Sequence, residues 1–412
     1  MKFLKAILFV WALSVAASAQ LDTSGQDFYM YIYFIDEQAG AYIALSTDGI
    51  NFVKCNNNKT VIQPKIAVGE TPLMRDPNTY FDPNTGIFHL VWTTAWNQDN
   101  IGYATSSDLI NWSEQIMIPV GRQIKGCQVC WAPELFYDDL KDSVMVMWST
   151  ARGNGGKEAF CCFTKDFRHF SSPWVYFEPH DVLGNRYTVI DETLVKLADS
   201  VYYMFFKDER KPSEAGKQSQ NIHYVMGKTP QGNNGKGNWT LGEWDEVSFP
   251  ITAPAYEGPT AIVIGDELRV YADPFKDFSS TKRMVKASVS ELGAGGFFTF
   301  QESKFTEGPA MKTLDGDDFL ISHGSISKIP KAKALQLLYG IPDQTVYPQS
   351  WTSPADSEIV VAPPLPEAEK VYPYGKQNCG CGSGVGLAFF PPIVFKAMAS
   401  RRRKKRKKAK KA

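Results

Sequence analysis

Short stretches in which apolar and polar residues alternate recur through the middle of the chain, and this pattern predicts β-strands. The clearest stretches cover residues 87–92, 144–148, 201–206 and 268–272. A turn sequence leads into each of them, as β-hairpins require. No comparably long amphipathic helix pattern interrupts the strands, so the sequence predicts an all-β chain.

A repeated phrase sets the spacing of these strands. It combines a strand pattern with an aspartate turn and occurs at residues 43–52, 103–112 and 163–170, with weaker copies at 223–228 and 285–290. The aligned aspartates Asp48, Asp108 and Asp166 lie 60 and 58 residues apart. Repeats of this length that are filled with strands are typical of β-propeller blades.

The two ends of the repeat region complete one further blade. Residues 28–55 carry outer strands without an acidic motif at their head, and residues 321–329 carry one strand with no hairpin after it. Joined together they make a full sheet that closes the ring and leaves no free edge. The sequence therefore predicts a five-bladed β-propeller over residues 20–345, closed by N- and C-terminal strands. A Pro-rich linker over residues 346–378 is predicted to follow.

Both ends of the chain carry predicted targeting segments. Residues 1–19 combine a short basic start, an apolar run and a small-residue cleavage site, which predicts a signal peptide. Residues 379–412 combine a Cys-Gly motif, an apolar stretch and a basic tail, an order that resembles the C-terminal sorting signals of bacterial envelope proteins. A nucleic-acid patch or a nuclear address is the alternative for the basic block, but both conflict with export. We expect a periplasmic, cell-surface or secreted bacterial protein.

The basic tail hides the charge of the remaining chain. Ten of the last twelve residues are Lys or Arg, and removing these with Lys2 and Lys5 from the 44 basic residues leaves 32 against 44 acidic ones. An acidic domain argues against nucleic acid as a partner.

Seven cysteines in an exported chain allow disulfides but do not define their pairing. Cys127 and Cys130 lie one repeat before Cys161 and Cys162, so one bridge between the two pairs is plausible. A zinc site built from the same four residues is the less favoured alternative, because adjacent cysteines are poor tetrahedral ligands.

Three acidic residues stand in turn motifs at the head of strand patterns: Asp76 in Arg-Asp-Pro, Asp191 in Ile-Asp-Glu and Glu257 in Glu-Gly-Pro. We expect all three at the same point of the repeat, so that a closed ring brings them together around its axis. Converging carboxyls are the machinery of glycoside hydrolysis. Asp before Pro is also an ordinary turn residue, and a second Glu-Gly-Pro occurs at residues 307–309. Glu257 is preferred because residues 260–273 behind it form a strand, a turn and a strand.

These motifs resemble those of glycoside hydrolase family 43, the five-bladed propeller arabinosidases and xylosidases. The matching elements are Arg75-Asp76-Pro77, Trp131-Ala132-Pro133-Glu134, Ile190-Asp191, Glu257-Gly258-Pro259 and His323-Gly324. By this resemblance Asp76 is the general base, Glu257 the general acid and Asp191 the residue that tunes and orients the acid. The resemblance implies an inverting hydrolase of arabinose- or xylose-type linkages that requires no cofactor.

A sugar site also needs aromatic platforms and polar clamps. Arg75, Trp131, Lys207 and Tyr256 are the predicted substrate contacts. His323 heads the closing strand, and the resemblance implies a structural Ca²⁺ bound near it through water. A hydrogen-bonded structural histidine is the alternative.

Two other functions stay open. A retaining fructan hydrolase of the invertase type also contains Arg-Asp-Pro, but residues 20–65 lack the Asn-Asp-Pro motif of its nucleophile. A non-catalytic glycan-binding propeller would keep the aromatic residues but would not need all three carboxyls. In each case we expect a monomer that binds polysaccharide or oligosaccharide, with envelope association through the C-terminal tail.

Overall fold

The alternating stretches form strands in the computed structural model, which describes residues 21–153, 156–180, 185–215, 220–231, 244–245, 247–275, 283–293, 304–319 and 322–363. The predicted signal peptide (1–19), the predicted linker beyond residue 363 and the predicted sorting segment (379–412) lie outside the described residues. Across the described ranges, no helix has both the length and the apolar character needed to cross a membrane.

The described strands are β1 (Phe28–Phe34), β2 (Ala41–Ser46), β3 (Asn51–Lys54), β4 (Arg75–Asp82), β5 (Ile87–Thr93), β6 (Ile101–Ser106), β7 (Ile116–Ile118), β8 (Trp131–Asp138), β9 (Ser143–Ala151), β10 (Lys157–Thr164), β11 (His169–Phe170), β12 (Trp174–Phe177), β13 (Val189–Ala198), β14 (Val201–Asp208), β15 (Ile222–Gly227), β16 (Tyr256–Ile264), β17 (Glu267–Pro274), β18 (Arg283–Ser288), β19 (Thr306–Glu307), β20 (Lys312–Thr313), β21 (Gly324–Ile329) and β22 (Val360–Val361). The helices are α1 (Pro212–Ala215), α2 (Val289–Gly293) and α3 (Lys331–Tyr339), with 3-10 turns at Asn56–Asn58 and Asp356–Glu358.

Hydrogen bonding divides these strands into five sheets, which are the blades. Blade 1 has the order β20-β3-β2-β1-β21, blade 2 β4-β5-β6-β7, blade 3 β22-β11-β10-β9-β8, blade 4 β13-β14-β15 and blade 5 β16-β17-β18-β19, and β12 also pairs with β10. The innermost strands β21, β4, β8, β13 and β16 contact one another in ring order. The predicted all-β, five-bladed propeller is confirmed.

Blade 1 joins the two ends of the repeat region. Strand β1 pairs with β2 on one side and with β21 on the other, so that Tyr31 lies opposite both Ala44 and Ile326. Hydrogen bonds between an early and a late strand therefore close the ring, as the sequence predicts.

Five hydrophobic clusters fill the gaps between neighbouring blades. The two-residue period of the strands produces them: in β14, Met204 and Phe206 pack toward blade 3, whereas Tyr203 and Phe205 pack toward blade 5. All four side chains are fully buried, and burying one large apolar side chain contributes about 1.5–3 kcal/mol. The cluster between blades 5 and 1 completes the ring.

The repeated phrase of the sequence corresponds to a repeated turn. In the first copy, the Asp48 carboxylate accepts backbone N–H groups from Ile50 and Asn51. Asp108 and Asp166 accept the equivalent pairs in their own blades. A short acidic side chain that bonds its own turn is the reason these positions repeat.

The segment after β21 packs on the outside of the propeller. Helix α3 follows directly, and Lys333 in it lies 3.0 Å from the carboxylate of Asp343. The sequence predicts a linker from residue 346, but the described part, residues 346–363, lies against the blades. Trp351 stands edge-on to His89, and β22 extends blade 3. Sequence pattern does not reveal β22 because it has only two residues.

Closure of the ring makes Gly324 sensitive to substitution. A Cβ atom at this position would lie 2.1 Å from the carbonyl oxygen of Ile32 and 2.8 Å from the Cα of Tyr33. We expect Gly324→Ala to lower the free energy of unfolding in urea by about 1–3 kcal/mol, as overpacking does. Gly25→Ala is the control, because no atom lies within 4 Å of its added Cβ. Equal stability of the two variants would contradict the β1–β21 pairing.

Candidate functional site

Four of the five innermost strands begin with the same backbone distortion. The pairing register shifts just after Arg75 in β4, Trp131 in β8, Ile190 in β13 and Glu257 in β16. The next residue in each strand has a positive φ angle: Asp76 (52°), Ala132 (46°), Asp191 (60°) and Gly258 (57°). Such left-handed backbone is uncommon for residues other than Gly, Asn and Asp. The predicted strand heads are therefore β-bulges.

Asp76 and Asp191 occupy the left-handed position of their bulges, whereas Glu257 precedes it. Gly258 takes that position in blade 5, so Glu257 aligns with Arg75 and not with the two aspartates. The expectation that the three acids share one point of the repeat is wrong for Glu257. Aligning the motifs on their prolines would have revealed the difference.

Asp76 is buried on the axis among groups that favour its ionised form. Thr93 donates its hydroxyl hydrogen to Oδ2 at 2.9 Å, and His323 Nδ1 lies 3.1 Å from Oδ1. Burial acts to raise the pKa of Asp76, but His323, Arg75 and Thr93 together lower it to about 2. The carboxylate is therefore ionised at neutral pH and able to accept a proton, as a general base must.

Asp191 lies on the other side of His323, with its Oδ1 3.9 Å from Nδ1. Its Oδ2 accepts the backbone N–H of Gly258 at 3.0 Å, and its own N–H donates to the Ser149 hydroxyl at 3.2 Å. Burial raises the pKa of Asp191, and the nearby Asp76 adds to this effect against the opposing influence of His323. Through Gly258, Asp191 holds the backbone that carries Glu257.

His323 joins the three strand heads. Besides its contacts with the two aspartates, its ring packs on Gly258, where an added Cβ would lie 2.6 Å from the His323 Cγ. Across the described residues, no group of three or more His, Cys, Asp or Glu side chains is arranged to hold a metal ion. Calcium prefers six to eight oxygen ligands, and the Nδ1 of His323 faces carboxylates. The Ca²⁺ site near His323 therefore stays a prediction from the sequence.

Glu257 stands at the rim of this cluster. Its side chain is 29% exposed, against 8% for each of the two aspartates. Lys207 donates from Nζ to Glu257 Oε2 at 2.8 Å and lies 3.0 Å from Glu209 Oε2. Burial acts to lower the pKa of Lys207, but Glu257, Glu209 and Asp191 outweigh it and raise the pKa. The buried ammonium is therefore charged and bridges two carboxylates.

Aromatic and cationic side chains are layered beside the carboxyls. The Arg75 guanidinium lies 4.3 Å from the ring centre of Trp96 and 2.8 Å from the carboxylate of Glu37. The Trp131 indole donates to the Trp96 carbonyl at 2.9 Å, and the two rings meet edge to face. The Lys157 ammonium lies 4.7 Å from the Trp131 ring centre. Trp96 is 43% exposed and forms the kind of platform on which a sugar stacks.

Two predicted substrate contacts have other neighbours. Lys207 is almost fully buried and contacts acidic side chains. Tyr256 packs against the hydrophobic cluster between blades 4 and 5. The predicted contacts that lie together near the axis are Arg75 and Trp131, and the structure adds Trp96 to them.

Two further carboxyls, Glu134 and Glu192, line the same axial cavity as the two aspartates. Glu192 is 1% exposed; Ser149 donates to its Oε2 at 3.0 Å, and its Oε1 has no hydrogen-bond partner in the described part of the chain. Burial raises the pKa of each glutamate to about 8, so both are mostly neutral acids at neutral pH. Glu192 stands where three other blades have proline, and this departure from the repeat marks its position in the sequence.

These neutral glutamates make stability depend on pH. The unfolded chain releases both protons near the ordinary glutamate pKa, whereas the folded protein keeps them up to about pH 8. Their contribution is fully present below the ordinary glutamate pKa and is lost as the pH rises through about 8. We expect Tm to decrease between about pH 5 and pH 8. In the Glu134→Gln/Glu192→Gln double variant, this decrease should be at most about half as large. The surface variant Glu114→Gln is the control, and an unchanged pH dependence in the double variant would contradict the assignment.

Residues 26–310 match a family model described as "Probable glycosyl hydrolase domain", which is related to glycosyl hydrolase family 43. The match covers more than half of the chain and includes the heads of β4, β8, β13 and β16. No curated protein sequence matches this chain.

Solved structures of similar form include three bacterial proteins. An endo-1,4-beta-xylanase from Bacteroides thetaiotaomicron shares 12% identity at a TM-score of 0.43, covering 73% of this chain and 93% of that one. An alpha-L-arabinofuranosidase from Lactobacillus brevis shares 13% at 0.41, covering 62% and 90%. The alpha-L-arabinanase of Cellvibrio cellulosa shares 13% at 0.41, covering 63% and 88%. At these TM-scores and identities, the three structures support no inference about the function of this chain.

Proposed function

Since this chain belongs to the glycosyl hydrolase family 43-related family and is a glycoside hydrolase, we propose that it cleaves arabinose- or xylose-type linkages by an inverting acid/base mechanism. The observation that carries the proposal is the contrast between two acids at the axis. Asp76 is buried and ionised, and Glu257 is partly exposed on a backbone that Asp191 holds in place.

Asp76 acts as the general base. Thr93 and His323 each engage one of its oxygens, and a carboxylate with about four lone-pair sites has acceptor capacity left for a water molecule. As that water attacks the anomeric carbon, its proton passes to Asp76. The positive neighbours keep the base deprotonated between turnovers.

Glu257 acts as the general acid and gives its proton to the leaving oxygen as the glycosidic bond breaks. Lys207 contacts both Glu257 and Glu209, so the ammonium keeps a carboxylate partner while Glu257 carries a proton. Lys207 positions the acid in this proposal and does not bind the sugar.

The aromatic rim, which consists of Trp96 and Trp131, binds the substrate. Trp96 offers an exposed face, and Arg75 and Trp131 fix its orientation. Sugars stack on such faces and bond through their hydroxyls to nearby polar groups. The choice of arabinose- or xylose-type linkages rests on the family relationship.

We further propose that the protein is exported through residues 1–19, associates with the cell envelope through residues 379–412 and acts as a monomer. Export and envelope association rest on the sequence patterns of the two ends. Mass spectrometry of the mature protein tests whether residues 1–19 are removed and whether residues 379–412 are retained, cleaved or modified.

Substitution of the two acids tests the assignment. After a substrate has been found by screening aryl glycosides and plant or algal polysaccharides, we expect Asp76→Asn and Glu257→Gln each to lower kcat by about 10²–10⁴-fold. Glu307→Gln is the matched control, because it alters the second Glu-Gly-Pro motif on the outer strand β19 and should leave kcat unchanged. Full activity of either acid variant would contradict the proposal.

A further inference from the structure

Cys127 and Cys130 form a close thiol pair directly before β8. Their Sγ atoms lie 3.8 Å apart, and no disulfide links the five described cysteines. A disulfide requires about 2.05 Å between the sulfurs, so the pair needs to close by less than 2 Å. Side-chain rotation covers such a distance without a rearrangement of the strands.

The backbone on both sides of the pair is already fixed. The backbone of Cys127 forms an isolated antiparallel β-bridge with Arg152, and Gln128 donates its N–H to the Ala151 carbonyl at 2.9 Å. Both contacts join the turn to the end of β9. Cys130 Sγ lies 3.9 Å from the Thr150 hydroxyl. Both sulfurs pack on Gly121, where an added Cβ would lie 2.5 Å from each of them.

The two thiols differ in exposure and acidity, as the members of a reactive pair do. Cys127 is half-buried between exposed neighbours, whereas Cys130 is buried. The hydrogen bond with Cys130 lowers the pKa of Cys127 against the effect of burial, and burial raises the pKa of Cys130. Cys127 is therefore the attacking thiol, because the thiolate is the nucleophile in disulfide exchange.

We propose that Cys127 and Cys130 form a reversible dithiol–disulfide site that reacts with small disulfides such as oxidised glutathione. The Cys127 thiolate attacks the small disulfide, breaks its S–S bond and releases one thiolate. Cys130 then loses its proton to solvent and attacks the Cys127 sulfur, which releases the second small thiolate and leaves the intramolecular disulfide. Two protein thiols are oxidised and one small disulfide is reduced to two thiols.

The structure favours this pairing over a bridge to the neighbouring repeat. Cys161 and Cys162 point to opposite faces of β10 and are fully buried in two different hydrophobic clusters. The disulfide would instead close a short turn that leads directly into Trp131.

Peptide mapping of the full chain tests the proposal without any enzyme assay. The reduced protein is equilibrated with oxidised glutathione, alkylated and cut with trypsin, which places both thiols in the single peptide 126–141. We expect this peptide to carry two alkyl groups before oxidation, and afterwards none, with the mass of two hydrogens lost. Oxidation should also raise Tm by about 2–4 °C.

Two variants sharpen the test. Cys130→Ser should stop the reaction at a glutathione adduct on Cys127 and remove the gain in Tm. Cys55 lies in a buried apolar cluster, and the Cys55→Ser variant should still form the disulfide and show the same gain in Tm on oxidation as the unmodified chain. Three results would overturn the proposal: both thiols alkylated after oxidation, a stable glutathione adduct in the unmodified chain, or a link from peptide 126–141 to another peptide. Because the readouts are mass and Tm, they stand apart from the outcome for Asp76 and Glu257.

Discussion

The left-handed backbone at the heads of the inner strands is the constraint on which the site depends. At Asp76 and Asp191 it sets the aspartates on either side of His323, and in blade 5 it requires Gly258, whose missing side chain makes room for the histidine ring. Strained backbone of this kind costs about 1–3 kcal/mol per residue. The packed clusters between the blades, which surround the axis on all sides, offset that cost.

Hydrogen bonds carry this constraint from blade to blade. The Thr93 hydroxyl accepts the N–H of Ala132, the Ser149 hydroxyl accepts the N–H of Asp191, and Asp191 accepts the N–H of Gly258. Blades 2 to 5 are thus linked through the residues that hold the carboxyls. Groups fixed before the substrate arrives need no reorganisation during the reaction, which is how enzymes gain most from electrostatics.

The fold was largely predictable, because the strand period, the turn aspartates and the repeat spacing are local signals. Each of them recurs from blade to blade, so they all indicate the same ring. The site was predictable only in part. Asp76 and Asp191 follow from motif position, but the contacts of Lys207 and the burial of Glu134 and Glu192 depend on distant blades. The packing of residues 346–363 against the blades could not be predicted either, because a two-residue strand such as β22 leaves no periodic pattern.

If water attacks from the side of Asp76 while Glu257 protonates the leaving oxygen, the leaving group is displaced from the anomeric carbon in a single step. Proton NMR of the first product released from a confirmed substrate, recorded before mutarotation, tests this most directly. A single displacement gives a product with inverted anomeric configuration, and this is the result that we expect. Retained configuration would contradict it, because retention requires a carboxylate to act as nucleophile in place of the base.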